Sequence, residues 1–137
     1  MRIVLDTNVL VSALLIAEGH SARIFRSVCD GSLTLVLSEP LLVELHEVLL
    51  YPKIRKRLDA RAIDVARYLE LLRFVATLVG TNTTVAPAVR DSDDRELLAT
   101  LLQGPADWLV TVDRDLLALS ADHPIVDPAE FIERFLA

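Results

Sequence analysis

The sequence predicts an α/β fold, three layers deep (α/β/α), with a central, mostly parallel sheet. Three observations predict it. Largely apolar runs, Ile3-Val4-Leu5, Leu33 to Leu37 and Ala106 to Val112, read as strands, the first of them, without polar alternation, buried on both faces. Stretches of helical periodicity separate them, the rhythm of a chain built from strand–helix–strand units. Acids follow directly on the first of these strands and the last, Asp6 and Asp113. Open α/β sheets keep their ligands just outside the carboxyl ends of the strands.

Residues 2–6 are the first strand. Val9, Leu10, Ala13, Leu14 and Ala17 give residues 8–17 a helical face, and Gly19 is placed to end that helix. Ser21 opens a second helix with Ile24, Phe25 and Val28 inward, closed by Asp30-Gly31. Leu33 to Leu37 is the second strand. Ser38-Glu39-Pro40 is a helix start, with serine as cap and proline in the first turn. That helix runs to about Leu50, where Tyr51-Pro52 stops it. Lys53 to Leu58 is a basic turn or short helix. Residues 60–79 are expected to form one long helix, and Val85-Ala86 a very short third strand. An acidic loop, residues 90–94, enters a helix over roughly 93–103, ended by Gly104-Pro105. Residues 106–112 are a strand, 113–119 a short helix and Ile125-Val126 a last strand. Asp127-Pro128 starts a final helix with Phe131, Ile132 and Phe135 on one face.

The 137 residues suit one domain, 1–137, with enough chain for a sizeable core. A hydrophobic share of 53% argues against disorder, and a net charge of −6 gives no general basic footprint for nucleic acid. The single cysteine, Cys29, excludes an intrachain disulfide and any Cys/His metal cluster. No apolar run approaches the ~20 residues that span a bilayer. The chain opens on a core strand rather than a signal sequence, so the expectation is a cytoplasmic protein.

Four acids are placed to meet. Asp6 and Asp113 stand at strand ends, although an acid there is often only a helix cap. On a helical wheel Glu44 lies beside Val48 at the edge of the arc formed by Leu41, Leu45, Val48 and Leu49. Asp94 points along the stripe of Leu97, Leu98, Leu101 and Leu102, where a charge is costly unless paired or bound to metal. Asp91 and Asp93 read as solvated caps of that helix. Two carboxylates ~4 Å apart repel by about 4 kcal/mol at an effective dielectric of roughly 20. Four in one pocket would threaten a fold of typically ~5–15 kcal/mol. Such a cluster needs protons or divalent cations, and hard oxygen donors suit Mg²⁺ or Mn²⁺. Metal-assisted phosphodiester hydrolysis is the natural chemistry.

The motifs Asp6-Thr7-Asn8-Val9-Leu10, Ser38 with Leu41-Leu42-Val43-Glu44-Leu45, Asp91-Ser-Asp-Asp94-Arg-Glu-Leu-Leu and Ala106-Asp-Trp-Leu-Val-Thr111-Val-Asp113-Arg-Asp115-Leu-Leu occur in order, followed by Ile125-Val-Asp-Pro-Ala-Glu-Phe131. Over essentially its whole length the chain resembles the PIN-domain ribonucleases, best known as toxins of bacterial toxin–antitoxin pairs. The resemblance implies a parallel sheet with strand one central and helices on both faces. It implies that Asp6, Glu44, Asp94 and Asp113 are catalytic and bind one or two Mg²⁺ or Mn²⁺ ions. Asp115 would be an additional ligand, and Asn8, Ser38 and Thr111 would orient the ligands. Thr100-Leu101-Leu102 departs from the small alanines usual in the family at that point. RNA would lie on Lys53, Arg55, Lys56 and Arg57, which with Arg61 form the one dense basic run. An antitoxin protein and a homodimer through the 60–79 helix and its predecessor are the implied partners.

Two other readings compete. A phosphatase with Asp6 as nucleophile needs a second aspartate two residues on, where this chain has Asn8. A non-catalytic interaction module on the same fold would have lost acids, and all four are present.

Overall fold

The computed structural model describes residues 1–82 and 91–136. Its centre is a five-stranded, all-parallel sheet of order β3-β2-β1-β4-β5. The strands are β1 (Arg2–Leu5), β2 (Thr34–Ser38), β3 (Ala76–Val79), β4 (Trp108–Val110) and β5 (Ile125–Val126). The helices are α1 (Thr7–Leu15), α2 (His20–Cys29), α3 (Glu39–Leu49), α4 (Pro52–Ala60), α5 (Val65–Val75), α6 (Ser92–Gln103), α7 (Arg114–Leu117) and α8 (Pro128–Phe135).

Ile3, Val4 and Leu5 are consecutive and all buried. Side chains alternate across a strand, so β1 is covered on both faces, as its unbroken apolar run required. α6 lies against β1, β2 and β4, α1 packs on α2 and α3, and α2 packs on α8. Trp108 and Phe131 both meet Phe135, and the Arg134 guanidinium lies 4.7 Å from the centre of the Trp108 ring, which fastens α8 beside β4. The Tyr68 hydroxyl donates to the Leu10 carbonyl at 3.0 Å and ties α5 to α1.

The order of the strands decides where a site can form. From β1 the chain moves outward through β2 to β3, then returns to the other side of β1 as β4. The carboxyl ends of β1 and β4 therefore flank the point where the winding reverses, the usual ligand crevice of open α/β sheets.

The expected helix over 60–79 is replaced by two elements. Ala62 has a positive φ of 55°, and the Asp64 side chain caps α5 by accepting from the Arg67 amide. After Val75 the chain extends as β3, pairing with β2 from Leu35↔Ala76 to Ser38↔Val79. A short apolar run such as Val75 to Val79 fits helix or strand by periodicity alone, and the distant partner β2 settles it. The third strand is thus Ala76–Val79; the expected strand at Val85-Ala86 lies outside the described residues.

Candidate active site

β1 and β4 run side by side, Leu5 opposite Val110, and the Asp6 amide donates to the Val110 carbonyl at 3.0 Å. Asp6 is buried at the carboxyl end of β1. It is the N-cap residue of α1, yet its side chain makes no cap hydrogen bond. Its carboxylate turns to the neighbouring strand, where Oδ2 accepts from the buried Thr111 hydroxyl at 2.6 Å. Thr111 Oγ1 in turn accepts from the Asp113 amide at 3.0 Å. One threonine side chain thereby joins the two strand-end acids. Asp113 also caps α7, its Oδ1 accepting from the amides of Asp115 at 2.8 Å and Leu116 at 3.4 Å.

Asp94 enters from α6. Its amide donates to Asp91 Oδ1 at 3.3 Å, so Asp91 caps the helix as its position in the sequence suggested. Burial raises the Asp94 carboxyl to about 6, and the charges of Asp113, Asp91, Asp6 and Asp115 push the same way. Burial also raises Asp6, aided by Asp113 and opposed by the Thr111 hydroxyl and the amides of Thr7 and Asn8. Asp6, Asp94 and Asp113 thus share one electrostatic neighbourhood. Asp115 is exposed at its margin.

Other predicted residues sit differently. Glu44 is half-buried on α3 and lines a groove with Val43, Glu47, Val48 and Tyr51. Asn8 is exposed in the first turn of α1. Ser38 is buried, and its hydroxyl donates at 2.8 Å to Glu96 Oε1, an acid the sequence did not single out. Glu96 is 8% exposed and also accepts from the Thr81 hydroxyl, while its carbonyl accepts from the Thr100 hydroxyl at 2.7 Å. The available signal was Glu96 lying four residues, one helical turn, before Thr100. Lys53, Arg55, Lys56 and Arg57 are exposed on α4, and Arg55 pairs with Asp59 at 3.3 Å.

The donor chemistry fits a hard divalent cation: carboxylates that repel and resist ionisation gain by sharing one. Among the described residues no three acidic, imidazole or thiol side chains stand close enough together to enclose an ion. Mg²⁺ needs fewer, since it keeps several waters and takes one or two carboxylates.

Comparison with known proteins bears on the family and the fold. A family model described as PIN domain matches residues 2–115. The uncharacterized protein MJ1680 of Methanocaldococcus jannaschii is 27% identical over 145 residues, covering 98% of this chain and 92% of its own. The crystal structure of VapBC2 from Rickettsia felis bound to a DNA fragment from their promoter is similar in fold. Its TM-score is 0.61 at 15% identity, over 93% of this chain and 98% of that one. With a family model matched across most of its length and the all-parallel sheet that the fold requires, the chain belongs to the PIN-domain family.

Proposed function

We propose that the chain is a single-domain, metal-dependent ribonuclease that hydrolyses RNA phosphodiester bonds and acts in the cytoplasm as the toxin of a type II toxin–antitoxin pair. The observation that carries the nuclease reading is Thr111, bonded to Asp6 and to the Asp113 backbone across the β1–β4 crevice, with Asp94 in the same field. One or two of Asp6, Asp94 and Asp113 would hold each Mg²⁺ or Mn²⁺ ion directly and the others through its waters, with Glu44 and Asp115 further out as additional donors. The bound cation lowers the proton affinity of water and offsets charge on the phosphate. Thr111 holds the Asp6 carboxylate in one orientation, and α7 holds Asp113 through its cap. Ser38 would act through Glu96, and Asn8, exposed in the first turn of α1, would contact the ligand shell.

The exposed cations of α4, Lys53, Arg55, Lys56 and Arg57, would hold the RNA backbone outside the acid pocket. A homodimer through α5 is supported by Phe74, 88% exposed, and by Leu71 on the same helix, also exposed. No helix among the described residues is long and apolar enough to cross a membrane.

The test is cleavage of a mixed single-stranded RNA pool with Mg²⁺, Mn²⁺ or chelator, for the wild type and Asp6→Asn. Cleavage that requires metal and falls by about 10²-fold or more in the variant is expected, the size of losing one electrostatic stabiliser. Cleavage that survives in chelator or in Asp6→Asn refutes the reading.

A further inference from the structure

A second cavity adjoins the acids. It is a cleft of ≈ 490 Å³ between the end of α1, the start of α2, α7 and the start of α8. Ile16, Val112, Leu117 and Pro128 supply apolar wall. Ser12, His20, Ser21, Arg114 and Asp127 supply polar lining.

Chain geometry sets it beside the catalytic candidates. Thr111 to Arg114 are consecutive, with Cα atoms about 3.8 Å apart. Thr111 bonds Asp6 and Asp113 faces the acid cluster, while Val112 and Arg114 line the cleft. Ser12 on α1 and the C-cap residue Ile16, whose amide donates to the Ser12 carbonyl at 3.0 Å, both line the cleft, and Ser12 stands about 9 Å along the helix from Asp6. Neighbouring nucleotides of one strand can occupy both places.

Three features suit it to an anionic, partly apolar ligand. α2 has ten residues and its N-cap is Gly19, with no side chain to satisfy the first amides, so its positive end is open to an anion. Ser21, in that first turn, is only 7% exposed, lines the cleft, and its hydroxyl makes no hydrogen bond among the described residues. The hydroxyl is not sealed from water, so in the cleft a ligand oxygen can take the place of water as its acceptor. Arg114 is exposed and forms no ion pair among the described residues. The one carboxylate in the lining, Asp127, is engaged at home, its Oδ1 accepting from the Glu130 amide at 2.8 Å. The volume lies within the roughly 300–1,000 Å³ of small-molecule pockets.

We propose that this cleft is the subsite for the RNA nucleotide flanking the scissile phosphate, an inference that rests on the ribonuclease reading. Its phosphate meets the first amides of α2, the Ser21 hydroxyl and Arg114. Its base packs on Ile16, Val112 and Leu117, with the His20 ring available for stacking.

The test needs no catalysis. 5′-AMP, 5′-CMP, 5′-GMP and 5′-UMP are titrated separately into the isotopically labelled wild-type protein, and the backbone signals of His20, Ser21 and Val112 are followed. Saturable shifts at these positions are expected for at least one nucleotide. Ala129→Trp, which fills the cleft, should weaken that binding by about tenfold or more, the size of one lost base contact. Ser21→Ala, which cannot disturb packing by bulk, should weaken it several-fold. No shift at these positions, or equal affinity in a folded Ala129→Trp, overturns the proposal. Response to N-acetyl-leucinamide but to no nucleotide assigns the cleft to a protein partner and overturns it too. RNA cleavage with a silent cleft sinks the subsite alone, whereas nucleotide binding in the cleft without RNA cleavage sinks the nuclease reading, and with it the flanking-nucleotide role, and leaves only a nucleotide-binding cleft.

Discussion

Replacing Asp94 by asparagine removes one charge from a neighbourhood of five acids while keeping shape and hydrogen-bonding capacity. In the metal-free protein the Asp94 carboxyl is raised from 3.8 to about 6. A raised acid costs the folded state stability above its folded pKa, and the cost fades as pH falls toward the unfolded value. A shift of about two pKa units corresponds to roughly 3 kcal/mol. Asp94 is partly exposed, so screening by water reduces this to about 1 kcal/mol. For a chain of this size that is about 3–5 °C in melting temperature. Thermal melts in chelator should therefore show Asp94→Asn more stable than the wild type at pH 7.5 by about that amount, with the gap closing between pH 6 and 4. Asp6 is raised as well, so some pH dependence of the same sign persists in the variant. Added Mn²⁺ reverses the order. At a hundred times the dissociation constant it stabilises the wild type by about 2.7 kcal/mol, and the variant loses most of that gain. A variant that melts below the wild type in chelator at pH 7.5, or that responds fully to Mn²⁺, refutes the electrostatic argument.

Three further outcomes follow from the packing around the site. Thr111→Val strips a buried hydroxyl from the Asp6 carboxylate and the Asp113 amide, and should weaken Mn²⁺ binding by about 10–100-fold in a calorimetric titration, with Thr111→Ser restoring it. Glu96→Ala leaves the hydroxyls of Ser38 and Thr81 without their acceptor, and denaturant unfolding should show a loss of about 1–3 kcal/mol. Gly104→Ala places a Cβ 2.7 Å from both the Thr100 carbonyl and Val36 Cγ1, so unfolding should show about 1–3 kcal/mol of overpacking cost.

Where the candidate acids lie in the fold was largely legible because strand-end acids declare themselves. Asp6 and Asp113 each follow an apolar run and precede a helix, so their placement in a parallel sheet needs no knowledge of distant contacts. Asp94 was legible from its direction on α6, among leucines that had to face the sheet. Glu96 was not, because on a wheel it looks like an ordinary polar neighbour. It is buried because α6 lies across β1, β2 and β4 and meets α3 as well, leaving little of the helix to solvent. Ser38 illustrates the same limit: its cap position at the start of α3 was readable, but its hydroxyl serves Glu96 rather than its own helix.

Local chemistry in the sequence determined the element types at both ends of the chain, the strand-end acids and the parallel class of the sheet. Hydrophobic period, caps and prolines act over a few residues, and those signals need no partner. Only the tertiary structure decided that Val75 turns into β3, which depends on β2 lying alongside, and that Thr111 links Asp6 to Asp113, which depends on β1 and β4 being neighbours. Pairing of strands and burial of a polar side chain are set by residues far apart in the chain, and no local pattern encodes which of them will meet.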